Sequence, residues 1–157
     1  DGAVGITMGS GIRIGAAPTA PTVIEVGPTL GGLFSLGNLA YVELPLHPAV
    51  DRSQPLIIGV GWAPAASEAN KQLTWTLDIG LEHEDANVAA IDLTKATTVA
   101  VPATAASYAR TGFILTPAEW NQNDVDEIHV RITRSASGFE PTLPGLHHIV
   151  LIHALAL

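Results

Sequence analysis

The chain has 157 residues and no cysteine; 14% of residues are charged, and Lys plus Arg at 7 against Asp plus Glu at 15 gives a net charge of −8. This length fits one domain, the lack of cysteine excludes disulfides and thiolate metal sites, and the acidic balance argues against nucleic acid and anionic membrane as partners. No apolar run approaches the ~20 residues of a membrane-spanning helix, and the start at Asp1 shows neither the basic nor the compact apolar region of a secretory signal.

The first 38 residues stand apart. They hold nine of the fifteen glycines, three prolines and only three charges, Asp1, Arg13 and Glu25. Stretches such as Gly9-Ser10-Gly11 and Ala16-Ala17-Pro18-Thr19-Ala20-Pro21 favour extended chain and turns. The segment is low in charge yet carries Ile, Val, Leu and Phe, which suits a chain ordered against something else. It reads as an extended arm, residues 1–38, with one clear strand at Thr22 to Val26.

From Asn38 onward the period is two. Ala40, Val42 and Leu44 alternate with Tyr41 and Glu43. Leu56, Ile58, Val60 and Trp62 share a face opposite Ile57, Gly59 and Gly61. Leu73, Trp75, Leu77, Ile79 and Leu81 alternate with Gln72, Thr74, Thr76, Asp78 and Glu82, the strongest pattern in the chain. Further strands are expected at 96–101, 108–115, 127–134 and 148–157. Thr116-Pro117-Ala118-Glu119 forms a capping box with Pro at the first helical position and predicts one short helix. About eight strands with irregular connections predict an all-β, two-sheet antiparallel jelly-roll sandwich over residues 39–157, with no second domain.

Catalytic motifs are sparse. Gly9-Ser10-Gly11 is not a nucleophile elbow, and Glu82, Glu84 and Asp85, the densest acidic group, read as a solvated strand end rather than the facing carboxylates of a glycosidase. His147 and His148 are adjacent, so a regular strand would point them to opposite faces, and no spacing joins them to His83, His129 or His153. Asn121, Asn123, Asp124, Asp126 and Glu127 offer oxygen ligands suited to calcium but lack the glycine of an EF-hand loop, so they read as a turn. Gly59-Val60-Gly61 is expected to let a large side chain or another backbone approach. No enzyme activity, cofactor or metal is expected. Trp62 and Trp75 are in phase with core residues, leaving Tyr41, Tyr108 and Trp120 as the rings available to a carbohydrate.

The terminal strand, Ile149 to Leu157, is apolar on both faces. Such a strand lies under a second layer or meets a neighbour. The expected interface residues are Ile12, Ile14, Val23, Ile24, Leu33 and Phe34 of the arm, with Ile57, Val150 and Ile152.

The order of these pieces resembles a known family. A strand ends in Trp62-Ala63-Pro64, and a long alternating strand runs through Trp75-Thr76-Leu77. Phe113-Ile114-Leu115-Thr116-Pro117 leads into the short helix, and Ile128 to Arg134 precedes the closing apolar strand. This resembles the small jelly-roll domains of tailed-bacteriophage virion proteins over residues 39–157. The resemblance implies a non-enzymatic structural protein on the outer surface of the capsid, a decoration (cement) protein. It would be a homotrimer bound to the major capsid protein, with the arm across a neighbouring subunit. The alternative is a glycan-binding or host-attachment module of a phage tail or head appendage.

Overall fold

In the computed structural model, residues 3–8, 12–14, 21–26 and 29–156 are described, with side chains described at 12, 21 and 31–156. The strands are β1 (Ala3–Met8), β2 (Arg13–Ile14), β3 (Thr22–Val26), β4 (Thr29–Leu33), β5 (Leu39–Pro45), β6 (Leu56–Pro64), β7 (Gln72–Glu82), β8 (Leu93–Ala100), β9 (Ala109–Leu115), β10 (Glu127–Ser135) and β11 (Pro144–Leu155), with one helix, α1 (Pro117–Trp120). They form two antiparallel sheets, one ordered β3-β4-β11-β6-β9 with β1 also on β11, the other ordered β2-β5-β10-β7-β8. The chain crosses repeatedly between the sheets, so sequence neighbours such as β5 and β6 lie in different layers. No helix among the described residues is long and apolar enough to cross a membrane.

The period-two pattern decides which face of each strand is buried. Leu56, Ile58, Val60 and Trp62 of β6 face Leu73, Trp75, Leu77 and Ile79 of β7 across the core, all of them buried. Trp75 meets Phe34 edge-on at 5.4 Å and Trp62 at 6.4 Å between ring centroids. The Trp62 indole donates to Thr111 Oγ1 at 3.0 Å, which satisfies its one polar atom inside the sandwich. Arg134 is buried among these elements and is held by the carbonyls of Phe34 and Pro141, at 2.7 and 2.8 Å.

The capping box forms as its residues require. Glu119 Oε2 accepts from the Thr116 N–H at 2.9 Å, and Lys95 Nζ lies 2.5 Å from Glu119 Oε1. The helix delivers Trp120 into the core, with its N–H donated to the Gln54 carbonyl at 3.0 Å. Trp120 is therefore buried, which corrects the expectation that it is a ring available to a carbohydrate.

The described parts of the first 38 residues belong to this same sandwich. β1 pairs along β11 from Met8↔Val150 to Ala3↔Leu155, β3 and β4 form a hairpin joined to β11 through Gly145 and Leu146, and β2 pairs with β5. An arm with one strand, extended over a neighbouring subunit, is corrected to that extent. The physical reason is the edge of β11, whose unpaired backbone groups need partners that β4 and β1 supply in turn.

Among the expected interface residues, Phe34 is 1% exposed and packs on Trp75, so it is a core residue. Val150 is also buried, its Cγ2 filling the space over Gly59. Both are corrections: the chain itself covers them. Ile12 packs partly buried against the core, and Leu33 is half-buried. Ile57 and Ile152 are half-buried cross-strand neighbours beside the exposed Ile114. The side chains of Ile14, Val23 and Ile24 lie outside the described residues.

His153 is buried, and neither ring nitrogen has a hydrogen-bond partner among the described residues. Burial, and then the His47 ring 6.4 Å away, hold its pKa below the ordinary histidine value. The paired strand Ala3–Met8 carries no ionisable side chain to offset this. The unfolded chain takes up a proton below about pH 6.5 that the folded site refuses. Stability is therefore full above that pH and falls as the pH drops. Thermal melts at pH 7.5 and pH 5 are expected to show this loss, and His153→Leu is expected to reduce it, with burial of His148 contributing in the same direction; an unaltered pH profile in the variant would contradict the assignment.

Candidate functional site: a cleft on the five-stranded sheet

Adjacent strands β5, β10 and β7 turn Tyr41 and Glu43, Glu127, His129 and Arg131, and Asp78, Gly80 and Glu82 to the outside of the five-stranded sheet. The register places Arg131 between Tyr41 and Asp78, and His129 between Glu43 and Gly80. The connection from β7 to β8 folds back over this face. Asp92 Oδ2 accepts the Leu81 N–H at 2.7 Å and Asp92 N–H donates to the Ile79 carbonyl, tying the loop to β7. Beneath the loop, the Cβ position of Gly80 lies in van der Waals contact with the Ala90 carbonyl oxygen, 3.5 Å away. The loop and sheet enclose a cleft of about 250 Å³, walled on one side by Val88, Ala89, Ala90 and Ile91. Val88 is 77% and Ile91 53% exposed, so the wall offers apolar contact to a ligand.

The floor is polar and held in place. Arg131 donates to Asp78 Oδ2 from Nε at 3.0 Å and Nη2 at 2.5 Å, and Thr94 Oγ1 donates to Asp78 Oδ1 at 2.9 Å. The Asp78 carboxylate, and less strongly the Tyr41 hydroxyl, raise the Arg131 pKa above its ordinary value. Tyr41 is 42% exposed at the cleft edge. His129 Nε2 lies 2.6 Å from Glu127 Oε1, and its Nδ1 lies 3.4 Å from Glu82 Oε1. A cleft with an exposed ring, an apolar wall and oriented carboxylate, guanidinium and imidazole groups can grip a molecule with hydroxyls on its edges and C–H groups on its faces.

Other sequence candidates scatter. Glu82 joins the cleft, while Glu84 is exposed and Asp85 sits at φ 67° in the turn beyond. Asn123 and Asp124 adopt φ of 50° and 56°, and Asn121 is engaged with Arg52, so that loop is a turn. A β-bulge between Leu146 and His148 breaks the alternation of β11. It sets His147 over Gly31 and Gly145 and His148 over Gly61, on the same outer face of the six-stranded sheet rather than on opposite faces. There Tyr108 stacks on His148 with its hydroxyl 2.7 Å from Nε2. Gly61 makes room for this pair, as expected for the Gly59-Val60-Gly61 stretch: an added Cβ would fall 2.6 Å from both His148 Nε2 and the Tyr108 hydroxyl. Gly61→Ala is expected to cost about 1–3 kcal/mol by overpacking, read by denaturant melts; a neutral result would show that the Tyr108–His148 pair moves freely.

No family model matches the sequence, and no curated protein matches it. Solved structures do. A xylan-binding module, CBM15, superposes with a TM-score of 0.57 at 13% identity, covering 99% of this chain and 98% of that one. The CBM36-1 domain of a multidomain xylanase from the hindgut metagenome of Trinervitermes trinervoides matches with a TM-score of 0.51 at 9% identity, over 99% of this chain and 100% of that one. An exo-β-1,3-galactanase from Phanerochaete chrysosporium matches with a TM-score of 0.56 at 8% identity, over 95% of this chain but 29% of its own. At these identities the similarity defines the fold, an all-β jelly-roll sandwich of the kind found in carbohydrate-binding modules. None of these neighbours is a virion protein.

Proposed function

We propose that this chain is a non-catalytic carbohydrate-binding module whose cleft on the five-stranded sheet takes a neutral glycan. The observation that carries this reading is the cleft itself: exposed Tyr41, the apolar Val88–Ile91 wall and the braced Arg131–Asp78 pair converge on one sheet face. The same sandwich serving as a xylan-binding module supports it. Four carboxylates, Glu43, Asp78, Glu82 and Glu127, face the region against one guanidinium, Arg131, so a uronate-rich or sialylated chain meets repulsion. Capsid decoration retains no supporting observation, because Phe34 and Val150 lie in the chain's own core and the described parts of the arm complete its own sheets.

Retention on immobilised neutral polysaccharides, xylan and galactan among them, compared with polygalacturonate tests the proposal. Binding to at least one neutral polymer and none to the polyuronate is expected. A folded protein that binds no neutral glycan contradicts the reading, and release of new reducing ends contradicts its non-catalytic part.

A further inference from the structure

We propose that Glu43, Glu127 and His129, at one end of the cleft, form a site for a divalent transition-metal ion of the zinc class. One ligand atom from each lies within 4.8 Å of the others. The backbone fixes this set: His129 stands directly opposite Glu43 in the β5–β10 ladder, and Glu127 precedes it by two residues on the same face. Zinc bonds of about 2.0–2.1 Å in a tetrahedron require donors about 3.3 Å apart. The two glutamate side chains supply the rotatable bonds through which the set adjusts to that spacing.

Two features favour an ion here. Glu82 stands directly opposite Glu127 on β7, a like-charge cross-strand pair whose only bridge among the described contacts is the His129 ring, so a cation held on that ring meets two carboxylates. Arg131, the nearest guanidinium on this strand, is committed to Asp78. Glu82 also lies 3.4 Å from His129 Nδ1, in the position of the carboxylate that orients a metal-binding imidazole. Nε2, which faces Glu127 Oε1 at 2.6 Å, is the ligand atom, and the ion takes the place of the hydrogen bond between them. An imidazole nitrogen with two carboxylates suits zinc-class ions, whereas calcium prefers six to eight oxygens. Three protein ligands leave a coordination position open to the cleft. The sequence hid this set because Glu43 joins Glu127 and His129 only through strand register; no His-x-His pair marks it.

The inference rests on the ligand geometry and stands apart from glycan binding, so its test contains no glycan. Calorimetric titration of the full chain with zinc chloride and calcium chloride, paired with thermal melts, compares the natural sequence with His129→Gln, Glu127→Gln and, as a control outside the cluster, Glu84→Gln. Zinc is expected to bind and raise the melting temperature. Both cluster variants are expected to bind it about tenfold or more weakly, the control is expected to be unchanged, and calcium is expected to bind at least about tenfold more weakly than zinc. No zinc binding at about 0.1 mM, undiminished binding in the cluster variants, or equal binding of calcium would overturn the assignment. If His129→Gln does not fold, Glu127→Gln decides alone.

Discussion

Tyr41→Ala is expected to weaken glycan binding by about 10- to 100-fold, equivalent to about 1.4–2.8 kcal/mol, while leaving the fold intact. The ring is 42% exposed at the edge of the cleft, so its removal deletes ligand contact without opening the core. Its partner on β10 is Arg131, whose guanidinium stays braced by Asp78 in the variant. Titrations of oligosaccharide into both proteins measure the ratio. Tyr108→Ala, on the opposite sheet, is expected to leave affinity unchanged. If Tyr108→Ala abolishes binding and Tyr41→Ala does not, the ligand lies on the six-stranded sheet.

Trp75→Ala carries the largest expected effect on stability. The side chain is fully buried at the centre of the sandwich, edge-on to both Phe34 and Trp62. Truncating such a residue removes its own burial and leaves a cavity, at a cost of about 3–5 kcal/mol. A domain has only about 5–15 kcal/mol in total. The melting temperature is expected to fall by about 6–20 °C for a chain of this size, with Trp75→Phe losing less. Denaturant unfolding of the two variants measures this directly. A loss below about 1 kcal/mol would mean that Trp75 does not hold the sheets together.

These two residues show what the sequence makes visible. Trp75 sits in an uninterrupted alternation with Leu73, Leu77, Ile79 and Leu81, and one face of a strand cannot be wet when it carries that set. The strands from Leu39 to Ser135 and the capping box at Thr116 follow from similar local signals. β8 begins earlier than expected because its residues alternate between half-buried and exposed with no fully buried face, as an edge strand does. The first strands escape notice for another reason. Ala3–Met8 and Thr29–Leu33 are short, glycine-bearing and apolar without alternation, and they become strands because β11 needs partners. Trp120 lies beside Asn121-Gln122-Asn123, a polar run that reads as surface, yet one helical turn swings it onto the Gln54 carbonyl.

The cleft was legible only in fragments. Tyr41 and Glu43, Asp78 and Glu82, and His129 and Arg131 each fall in the outward phase of their own strand, and that phase can be read from sequence. Their convergence cannot, because β10 inserts between β5 and β7 and the pairing order departs from chain order. The loop that walls the cleft is likewise fixed by a nonlocal bond, Leu81 N–H to Asp92, across eleven residues. The low charge of the chain suggested burial between subunits. In the structure β1 to β4 instead extend both sheets of the same sandwich.

Backbone amide shift mapping during titration with a neutral oligosaccharide tests the central claim most directly. Perturbations are expected to concentrate on Tyr41, Gly80, Ile91, His129 and Arg131, with those at Tyr108, Arg110 and His148 remaining near zero. A perturbed patch on Tyr108, Arg110 and His148 with a silent cleft, or no perturbation by any neutral oligosaccharide, would contradict the assignment of this cleft as a glycan-binding site.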